Sequence, residues 1–201
     1  MSGAVWHEPS VTRAVRWERL HVRGGTVWLT GLSGSGKSTV GHALDASLTA
    51  DGVAAVVLDA DNLRHGLNAD LGFSDDDRKE NVRRTSEVAR LFADAGSIAI
   101  VPIISPFAEG RDEARALHVR DGLDFWEIWV STSLDECERR DTKGLYAQAR
   151  AGVVRGLSGL DAPYEAPARP DLVLGRGESV DEAVAMVRTL IGRQQGRPDG
   201  P

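Results

Sequence analysis

Apolar residues along the chain follow two alternating patterns: short continuous runs, and positions spaced three or four residues apart. The continuous runs predict five buried strands, over residues 26–30, 54–60, 97–104, 125–131 and 171–175. The helically spaced positions predict helices from Lys37 onward, over about 76–94 and 110–120, after Ser133, and from Ser179 to Ile191. Strands that alternate with helices predict an α/β fold, with a mostly parallel five-stranded sheet and helices on both of its faces.

The two ends of the chain and one internal segment lie outside this alternation. Residues 1–23 carry charges and tryptophans and predict an irregular or partly helical lead-in. Residues 141–170 are rich in Gly, Pro, Arg and Asp and predict a mobile segment. Residues 192–201 predict a disordered tail. The remaining chain, residues 24–191, is predicted to form a single domain.

Composition narrows the class of protein. The net charge of −6 argues against general nucleic-acid binding, which needs a basic face. The single cysteine, Cys137, excludes an internal disulfide, fits a reducing cytoplasm and is predicted to be buried in a helix. The chain begins without a signal-peptide pattern, and its longest apolar run, 97–104, is too short to span a bilayer. These features predict a cytoplasmic protein without a membrane span.

The clearest motif is GLSGSGKST at residues 31–39, which fits the Walker A pattern G-x-x-x-x-G-K-[ST] and lies between a predicted strand and a predicted helix. Such a loop cradles phosphate with its backbone N–H groups and with the helix N-terminus. Lys37 is expected to reach the β- and γ-phosphates, and Ser38 to hold Mg²⁺. The predicted ATP-binding residues are Gly31, Leu32, Ser33, Gly34, Ser35, Gly36, Lys37, Ser38 and Thr39.

A phosphate loop indicates a nucleotide but not a reaction. The sequence has no N-K-x-D motif, which a GTPase would use to bind guanine. It also has no LSGGQ-type motif, which an ABC ATPase would need. A kinase of a small molecule remains.

Two acidic residues, Asp59 and Asp61, follow the second predicted strand. On an extended backbone, side chains two residues apart point the same way. Asp59 is the predicted carboxylate partner of Mg²⁺, together with Ser38. Asp61 is predicted to accept or orient the proton of the acceptor hydroxyl, since phosphoryl transfer depends mainly on positioning and charge neutralisation.

A family resemblance becomes specific at this point. The stretch LDADNLRHGLNADLGFSDDDRKENVRR, residues 58–84, resembles the substrate segment of adenylyl-sulfate kinases. The resemblance continues in LFADAG (91–96), ISPF (104–107), CERRDTKGLYAQARAG (137–152) and GLDAPYEAP (159–167). It implies a three-layer phosphate-loop kinase fold with a mobile lid at about 137–167. The implied reaction transfers the γ-phosphate of ATP to the 3′-hydroxyl of adenosine 5′-phosphosulfate (adenylyl sulfate), giving 3′-phosphoadenylyl sulfate (PAPS) and ADP.

The resemblance also implies acceptor-binding residues. Arg64, Arg78 and Asn81 would donate to the phosphate and sulfate oxygens, and Phe73 would stack on adenine. The residues alone favour ordinary roles, because exposed arginines usually pair with nearby acids and a phenylalanine is usually in the core. Asp59 and Asp61 would also face the acceptor.

The third predicted strand ends at Ser105, which by resemblance is the candidate for a phosphoserine intermediate. A nucleophilic serine needs a neighbouring base, and the sequence places none beside it. Direct in-line transfer, with Ser105 as a hydrogen-bonding group at the acceptor, is favoured, and both routes remain open. Pro106 and Phe107 would shape the acceptor pocket.

Basic residues of the implied lid, Arg139, Arg140 and Lys143, are expected to close over the phosphates and offset charge in the transition state. Leu157 stands where the family usually has a phenylalanine against the second face of adenine. Leucine would cover that face without aromatic stacking.

Family membership would imply a homodimer, ATP and Mg²⁺ as co-substrate and cofactor, and functional coupling to an ATP sulfurylase. Two alternatives remain open at this stage: a kinase of another small acceptor, and a nucleotide-binding regulatory module that has lost catalysis. The intact set of Lys37, Ser38, Asp61 and Lys143 argues against the second.

Overall fold

The computed structural model describes residue 5 and residues 7–175 and 177–195. Predictions for the other residues, which include most of the predicted tail, lie outside the described residues. The strands are β1 (Gly25–Thr30), β2 (Ala55–Val57), β3 (Ile98–Pro102), β4 (Asp124–Val130) and β5 (Leu172–Leu174). The helices are α1 (Arg13–Leu20), α2 (Lys37–Ala50), α3 (Ala60–Leu63), α4 (Asp75–Ala95), α5 (Ala108–Arg120), α6 (Leu134–Arg140), α7 (Leu145–Arg150) and α8 (Val180–Gln195).

The strands form one sheet in the order β2–β3–β1–β4–β5, and every neighbouring pair is parallel. The predicted five-stranded sheet is therefore confirmed, with all of its pairs parallel. Strand β1 lies in the centre, where Trp28 is in register with Val101 of β3 and Glu127 of β4.

Helices cover both faces of the sheet, because alternate side chains of β1 enter two separate cores. Val27 and Leu29 pack in a core with α2 and α8. Trp28 points to the other face and packs in a core with α4 and α5. The predicted arrangement of three layers is confirmed.

Three features differ from the predictions. Strand β2 covers only Ala55–Val57 and is half-buried, because it lies at the edge of the sheet, whereas its apolar run predicts a buried strand. Helix α8 extends to Gln195, beyond the predicted domain end at residue 191, since arginine and glutamine continue a helix readily. Helix α7 lies within the segment predicted to be mobile.

Helix α4 begins as its acidic start predicts. Ser74 and Asp77 form a capping box, and three aspartates occupy the first turn, where the helix dipole favours negative charge. No helix among the described residues has the length and apolar character needed to cross a membrane.

The topology positions the site at one edge of the sheet. Parallel sheets bind ligands beyond the carboxyl ends of their strands. The phosphate loop follows β1, Asp59 follows β2, and Ser105 follows β3, so the segments that carry the predicted chemistry meet at this edge.

Candidate active site

The phosphate loop depends on glycines with left-handed backbone. Gly34 and Gly36 have φ of 72° and 106°, values that only glycine adopts readily. Gly31 is closely packed, since a Cβ there would lie 2.5 Å from the carbonyl oxygen of Val130. Gly36 is also the N-cap of α2, so the loop leads directly into a helix N-terminus.

Lys37, the first residue of α2, is almost fully buried at 8% exposure. Its Nζ donates to the carbonyl oxygens of Gly31 (2.9 Å) and Leu32 (2.6 Å). Burial lowers the pKa of Lys37 from 10.5 to about 8, because desolvation disfavours the charged form. The ammonium group of Lys37 is therefore closer to losing its charge near neutral pH than that of an exposed lysine.

The two predicted magnesium ligands lie in contact. Ser38 Oγ donates to Asp59 Oδ2 (2.7 Å), and Asp59 Oδ1 accepts from the Asp61 backbone N–H (2.9 Å). Mg²⁺ in kinases takes one or two protein oxygens and completes its shell with phosphates and water. A hydroxyl and a carboxylate beside the phosphate loop fit that requirement. No group of three or more His, Cys, Asp or Glu side chains among the described residues offers an all-protein metal site.

The prediction that Asp59 and Asp61 extend from a strand in the same direction is wrong. Strand β2 ends at Val57, Asp59 is the N-cap of α3, and Asp61 lies in the first turn of that helix. The helical turn separates their environments, since Asp59 is buried and the Asp61 side chain is 63% exposed. Asp61 forms an ion pair with the Nζ of Lys143, so the turn brings together the predicted base and the predicted lid cation.

Most of the predicted residues line one cleft with a volume of ≈ 710 Å³. This size is within the range of small-molecule sites. The predicted residues in its lining are Ser33, Gly34, Gly36, Lys37, Ser38, Thr39, Asp59, Asp61, Arg64, Phe73, Arg78, Asn81, Ser105, Pro106, Arg140, Lys143 and Leu157. The predicted residues outside the lining are Gly31, Leu32, Ser35, Phe107 and Arg139.

The two lid arginines differ in position. Arg140 lines the cleft and its Nη1 lies 4.0 Å from the position of a Cβ on Gly36. Arg139 donates from Nε and Nη2 to the two carboxylate oxygens of Glu136 (2.7 and 2.8 Å), and its side chain is 73% exposed. Arg140 also donates from Nε to Glu136 Oε1 (2.7 Å), so the two lid arginines share this carboxylate and, of the two, Arg140 alone lines the cleft.

The acceptor end of the cleft carries an exposed aromatic ring beside a cation. Phe73 is 67% exposed, so the core position that its residue type favours is not observed. The guanidinium carbon of Arg64 lies 4.3 Å from the ring centroid, a distance typical of a cation–π contact. The Nη1 of Arg64 donates to the carbonyl oxygens of Leu71 (3.1 Å) and Gly72 (2.9 Å).

Arg78 joins the start of α4 to the predicted lid. Its Nε donates to the Phe73 carbonyl (2.9 Å), and its Nη1 donates to Ser158 Oγ (2.8 Å). Leu157, which precedes Ser158, is buried and packs with Cys137 and Tyr146. Arg78 thus fixes the segment that carries Leu157 against the segment that carries Phe73.

Ser105 is buried, and neither of its hydroxyl partners is a base. Its Oγ accepts from Trp28 Nε1 (3.1 Å) and donates to Thr30 Oγ1 (3.0 Å). The residue is 1% exposed and has a φ of 40°, which is unusual for a residue other than glycine. This geometry suits a fixed hydrogen-bonding group in the cleft wall better than an activated nucleophile.

Comparison with known proteins decides the family. Residues 23–175 match the family model described as Adenylylsulphate kinase. The chain belongs to this family. A probable adenylyl-sulfate kinase of Halalkalibacterium halodurans is 48% identical over 192 residues, which cover 95% of this chain and 94% of that protein. The adenylyl-sulfate kinase of Bacillus velezensis is 53% identical over 174 residues, with 87% of each chain covered.

A solved structure of the same family confirms the fold. The Mycobacterium tuberculosis APS kinase CysC, in complex with AMPPNP and APS, superimposes with a TM-score of 0.83 at 55% identity. The match covers 85% of this chain and 98% of that chain. The adenylylsulphate kinase resemblance read from the sequence motifs is therefore confirmed.

Within this adenylylsulphate kinase fold, the structure adds a residue that orients a predicted one. Asn68 donates from Nδ2 to Asn81 Oδ1 at 2.7 Å, and both side chains are buried. Since the Asn81 oxygen is occupied, its amide nitrogen remains as a donor. Asn68 ends the run DNLRHGLN (61–68) within the motif of residues 58–84, and that position was its only signal in the sequence.

Two lid residues were also missed. Tyr146 is buried and donates from its hydroxyl to the Ser33 carbonyl at 2.9 Å, which joins α7 to the phosphate loop. Its position in the KGLYAQARAG motif was a signal without an assigned role. Arg155 lines the cleft as a further cation, and no pattern in the sequence distinguishes it from other exposed arginines.

Proposed function

We propose that this adenylylsulphate kinase family member transfers the γ-phosphate of ATP to the 3′-hydroxyl of adenylyl sulfate, giving PAPS and ADP. The observation that supports this most strongly is a single cleft with two chemically different ends. One end holds the phosphate loop with Lys37, and the other holds Phe73, Arg64 and Asn81. The similar M. tuberculosis protein was solved with AMPPNP and APS, which are an ATP analogue and the proposed acceptor.

At the nucleotide end, the phosphate loop and Lys37 bind the β- and γ-phosphates, and Arg140 adds a second cation. Ser38 and Asp59 would hold Mg²⁺, which supplies charge neutralisation on the phosphate oxygens when bound. Asp59 is preorganised for this role, because its second oxygen is fixed by the backbone of Asp61.

At the acceptor end, cations and amide donors face an acceptor that carries phosphate and sulfate. Arg64 uses Nη1 for two loop carbonyls and keeps its Nε and Nη2 protons for an anion. Asn81 presents its amide nitrogen. Phe73 offers an aromatic face for adenine, and Leu157 covers the other face without stacking. Loss of one stacked aromatic face costs about 1–3 kcal/mol by analogy with base stacking.

Asp61 orients the acceptor hydroxyl and accepts its proton as the phosphoryl group moves. Asp61 forms an ion pair with the Nζ of Lys143. Lys143 then offsets charge on the transferring group. Transfer is direct in this proposal, since the hydrogen-bond partners of the Ser105 hydroxyl among the described residues are Trp28 and Thr30, and neither is a base.

The route through Ser105 has its own test. We expect Ser105→Ala to keep a substantial fraction of turnover, and the parent protein to carry no acid-stable ³²P after incubation with γ-labelled ATP. Acid-stable label on Ser105, together with an inactive Ser105→Ala variant that still binds ATP, would establish the covalent route instead.

The proposed reaction is tested by ADP release in a coupled assay with adenylyl sulfate, and with a sugar acid and a nucleoside as competing acceptors. We expect release that depends on adenylyl sulfate, and PAPS as the product. Activity with another acceptor alone would favour the first alternative. ATP binding without ADP release from any acceptor would favour the regulatory module.

We also propose a cytoplasmic homodimer that receives its substrate from an ATP sulfurylase, the class of enzyme that forms adenylyl sulfate. Family membership is the ground for the homodimer and for the coupling to an ATP sulfurylase, and the single cysteine is the ground for the cytoplasm. Light scattering after size-exclusion chromatography would give the oligomeric mass. An ATP sulfurylase added with sulfate and ATP should replace added adenylyl sulfate in the coupled assay.

A further inference from the structure

A buried arginine outside the cleft joins one wall of the cleft to a neighbouring segment of the predicted lid. We infer that Arg111 is a positioning residue for the acceptor: it fixes the acceptor wall (residues 104–106) and the lid root (Tyr164 and Glu165) in one geometry. The kinetic test of this inference rests on the proposed function, whereas its structural test depends only on contacts within the chain.

All three guanidinium nitrogens of Arg111 are engaged. Nε donates to Glu127 Oε1 of β4 (2.8 Å), Nη1 donates to the Ser105 carbonyl (2.6 Å), and Nη2 donates to the Glu165 carbonyl (2.6 Å). Arg111 is 2% exposed. One planar group thus connects the central sheet, the acceptor wall and the lid root.

Further hydrogen bonds pair the lid root with the acceptor wall. The Glu165 backbone N–H donates to the Pro106 carbonyl (2.8 Å), and Glu165 Oε2 accepts from the Ala108 N–H (2.7 Å). The Tyr164 hydroxyl lies 3.1 Å from Thr30 Oγ1, which donates to the Ile104 carbonyl (2.7 Å). The two segments, about 60 residues apart in sequence, therefore form one hydrogen-bonded unit.

The Ser105 backbone explains why such a support is needed. Its φ of 40° lies in the left-handed region, which costs energy for a residue with a side chain and persists when surrounding contacts determine it. The bond from Arg111 to the Ser105 carbonyl is one of those contacts. Because Ser105 and Pro106 line the cleft, a change at Arg111 would move the surface that the acceptor touches.

An arginine is specifically required by this geometry. Its planar fork donates in three fixed directions, whereas a lysine is a point charge on a flexible stem. Arg111→Lys keeps the charge beside Glu127 and so avoids an unpaired buried carboxylate. It cannot serve the Ser105 and Glu165 carbonyls in the same way.

The chain offers a matched control on the same helix. Arg115 lies one turn later and also contacts Glu127, at 3.5 Å, as well as Asp171 at 2.7 Å. It does not contact the acceptor wall or the lid root through any hydrogen bond that the described residues show. Arg115→Lys therefore perturbs the same buried carboxylate without touching the proposed unit.

Two readouts test the inference, at a temperature where the variants are fully folded. First, we expect Arg111→Lys to lower kcat/KM for adenylyl sulfate by roughly 10²-fold, the effect of a displacement of about 1 Å at a reaction centre, while the Kd of an ATP analogue is unchanged. Second, we expect faster hydrogen exchange at the amides of Ala108 and Glu165. Arg115→Lys should change neither readout.

Equal kinetics and equal exchange in the two lysine variants would overturn the inference. So would an effect of Arg111→Lys confined to the Kd of the ATP analogue. If Arg111→Lys does not fold, the double variant Arg111→Gln/Glu127→Gln leaves no unpaired buried charge and is expected to give the same two changes. If the parent protein is inactive toward adenylyl sulfate, the proposed reaction is refuted but the structural role of Arg111 is not. The hydrogen-exchange measurement tests that role independently of any activity.

Discussion

Replacing Asp61 by asparagine should slow the reaction strongly while leaving the stability of the fold nearly unchanged. The side chains of Asp61 and its partner Lys143 are 63% and 56% exposed, so solvent screens their attraction. An exposed ion pair contributes about 0–1 kcal/mol. For a chain of this size, 1 kcal/mol corresponds to a change in Tm of about 2–4 °C. The Asp61→Asn variant is therefore expected to fold and to melt close to the parent.

The expected loss of turnover is much larger. A positioned group that accepts or orients a proton typically contributes about 10²–10⁴-fold to a rate, which corresponds to about 3–5 kcal/mol in the activation barrier. Asparagine keeps the shape and cannot accept the proton. We expect kcat of Asp61→Asn to fall by this factor in the coupled ADP-release assay, with the Kd of an ATP analogue nearly unchanged.

Asp70→Asn is the matched control. Asp70 is 61% exposed and forms an ion pair with Arg84 at 2.6 Å, yet it does not line the cleft. We expect it to retain parental turnover. Parental turnover in Asp61→Asn, or equal losses in the two variants, would refute the assigned role of Asp61.

Three other predictions concern buried groups. Because burial lowers the pKa of Lys37 to about 8, the affinity for an ATP analogue should fall as pH rises through that value. Calorimetry should show that Lys37→Met binds the analogue weakly, with an affinity that does not change with pH. Burial also lowers the pKa of His118 below 6.5, and its neutral ring is held by the Ala114 carbonyl and the Thr26 hydroxyl. At acidic pH the unfolded chain protonates His118 more readily than the folded chain does. The contribution of His118 to the free energy of unfolding is therefore present above pH 6.5 and is lost as pH falls below it. The Tm measured from pH 8 to 5.5 should drop more steeply in the parent than in His118→Gln. Tyr146→Phe removes the hydroxyl that donates to the Ser33 carbonyl at 2.9 Å. The free energy of unfolding should fall by about 1 kcal/mol, which denaturant unfolding would detect. An unaltered unfolding midpoint would contradict this prediction.

Local patterns were enough to predict the sheet, the phosphate loop and the start of α4. A continuous apolar run, a glycine that needs a left-handed backbone and an acidic first turn each depend on neighbours in sequence. The contact of Ser38 with Asp59 was also predictable, since both follow strands whose carboxyl ends meet at one edge.

Other features depended on packing between distant segments. The sequence order β1–β5 does not state that β2 forms the edge of the sheet, so its apolar run predicted a buried strand where a half-buried one is found. Arg139 and Arg140 are adjacent and chemically identical, and the direction of a helix turn places only Arg140 in the cleft. Sequence patterns do not distinguish such neighbours when no apolar periodicity fixes their orientation.

Motif spacing and backbone preference are local properties, so the order of amino acids was sufficient to identify the family, the nucleotide loop and the residue types available for an anionic acceptor. How these residues act together depends on packing between distant segments. Packing placed Lys143 on Asp61, Arg78 on the segment of Leu157, and Arg111 between the Ser105 and Glu165 carbonyls. Each of these contacts joins different parts of the fold, and its geometry exists only once the helices and the predicted lid have packed on the sheet.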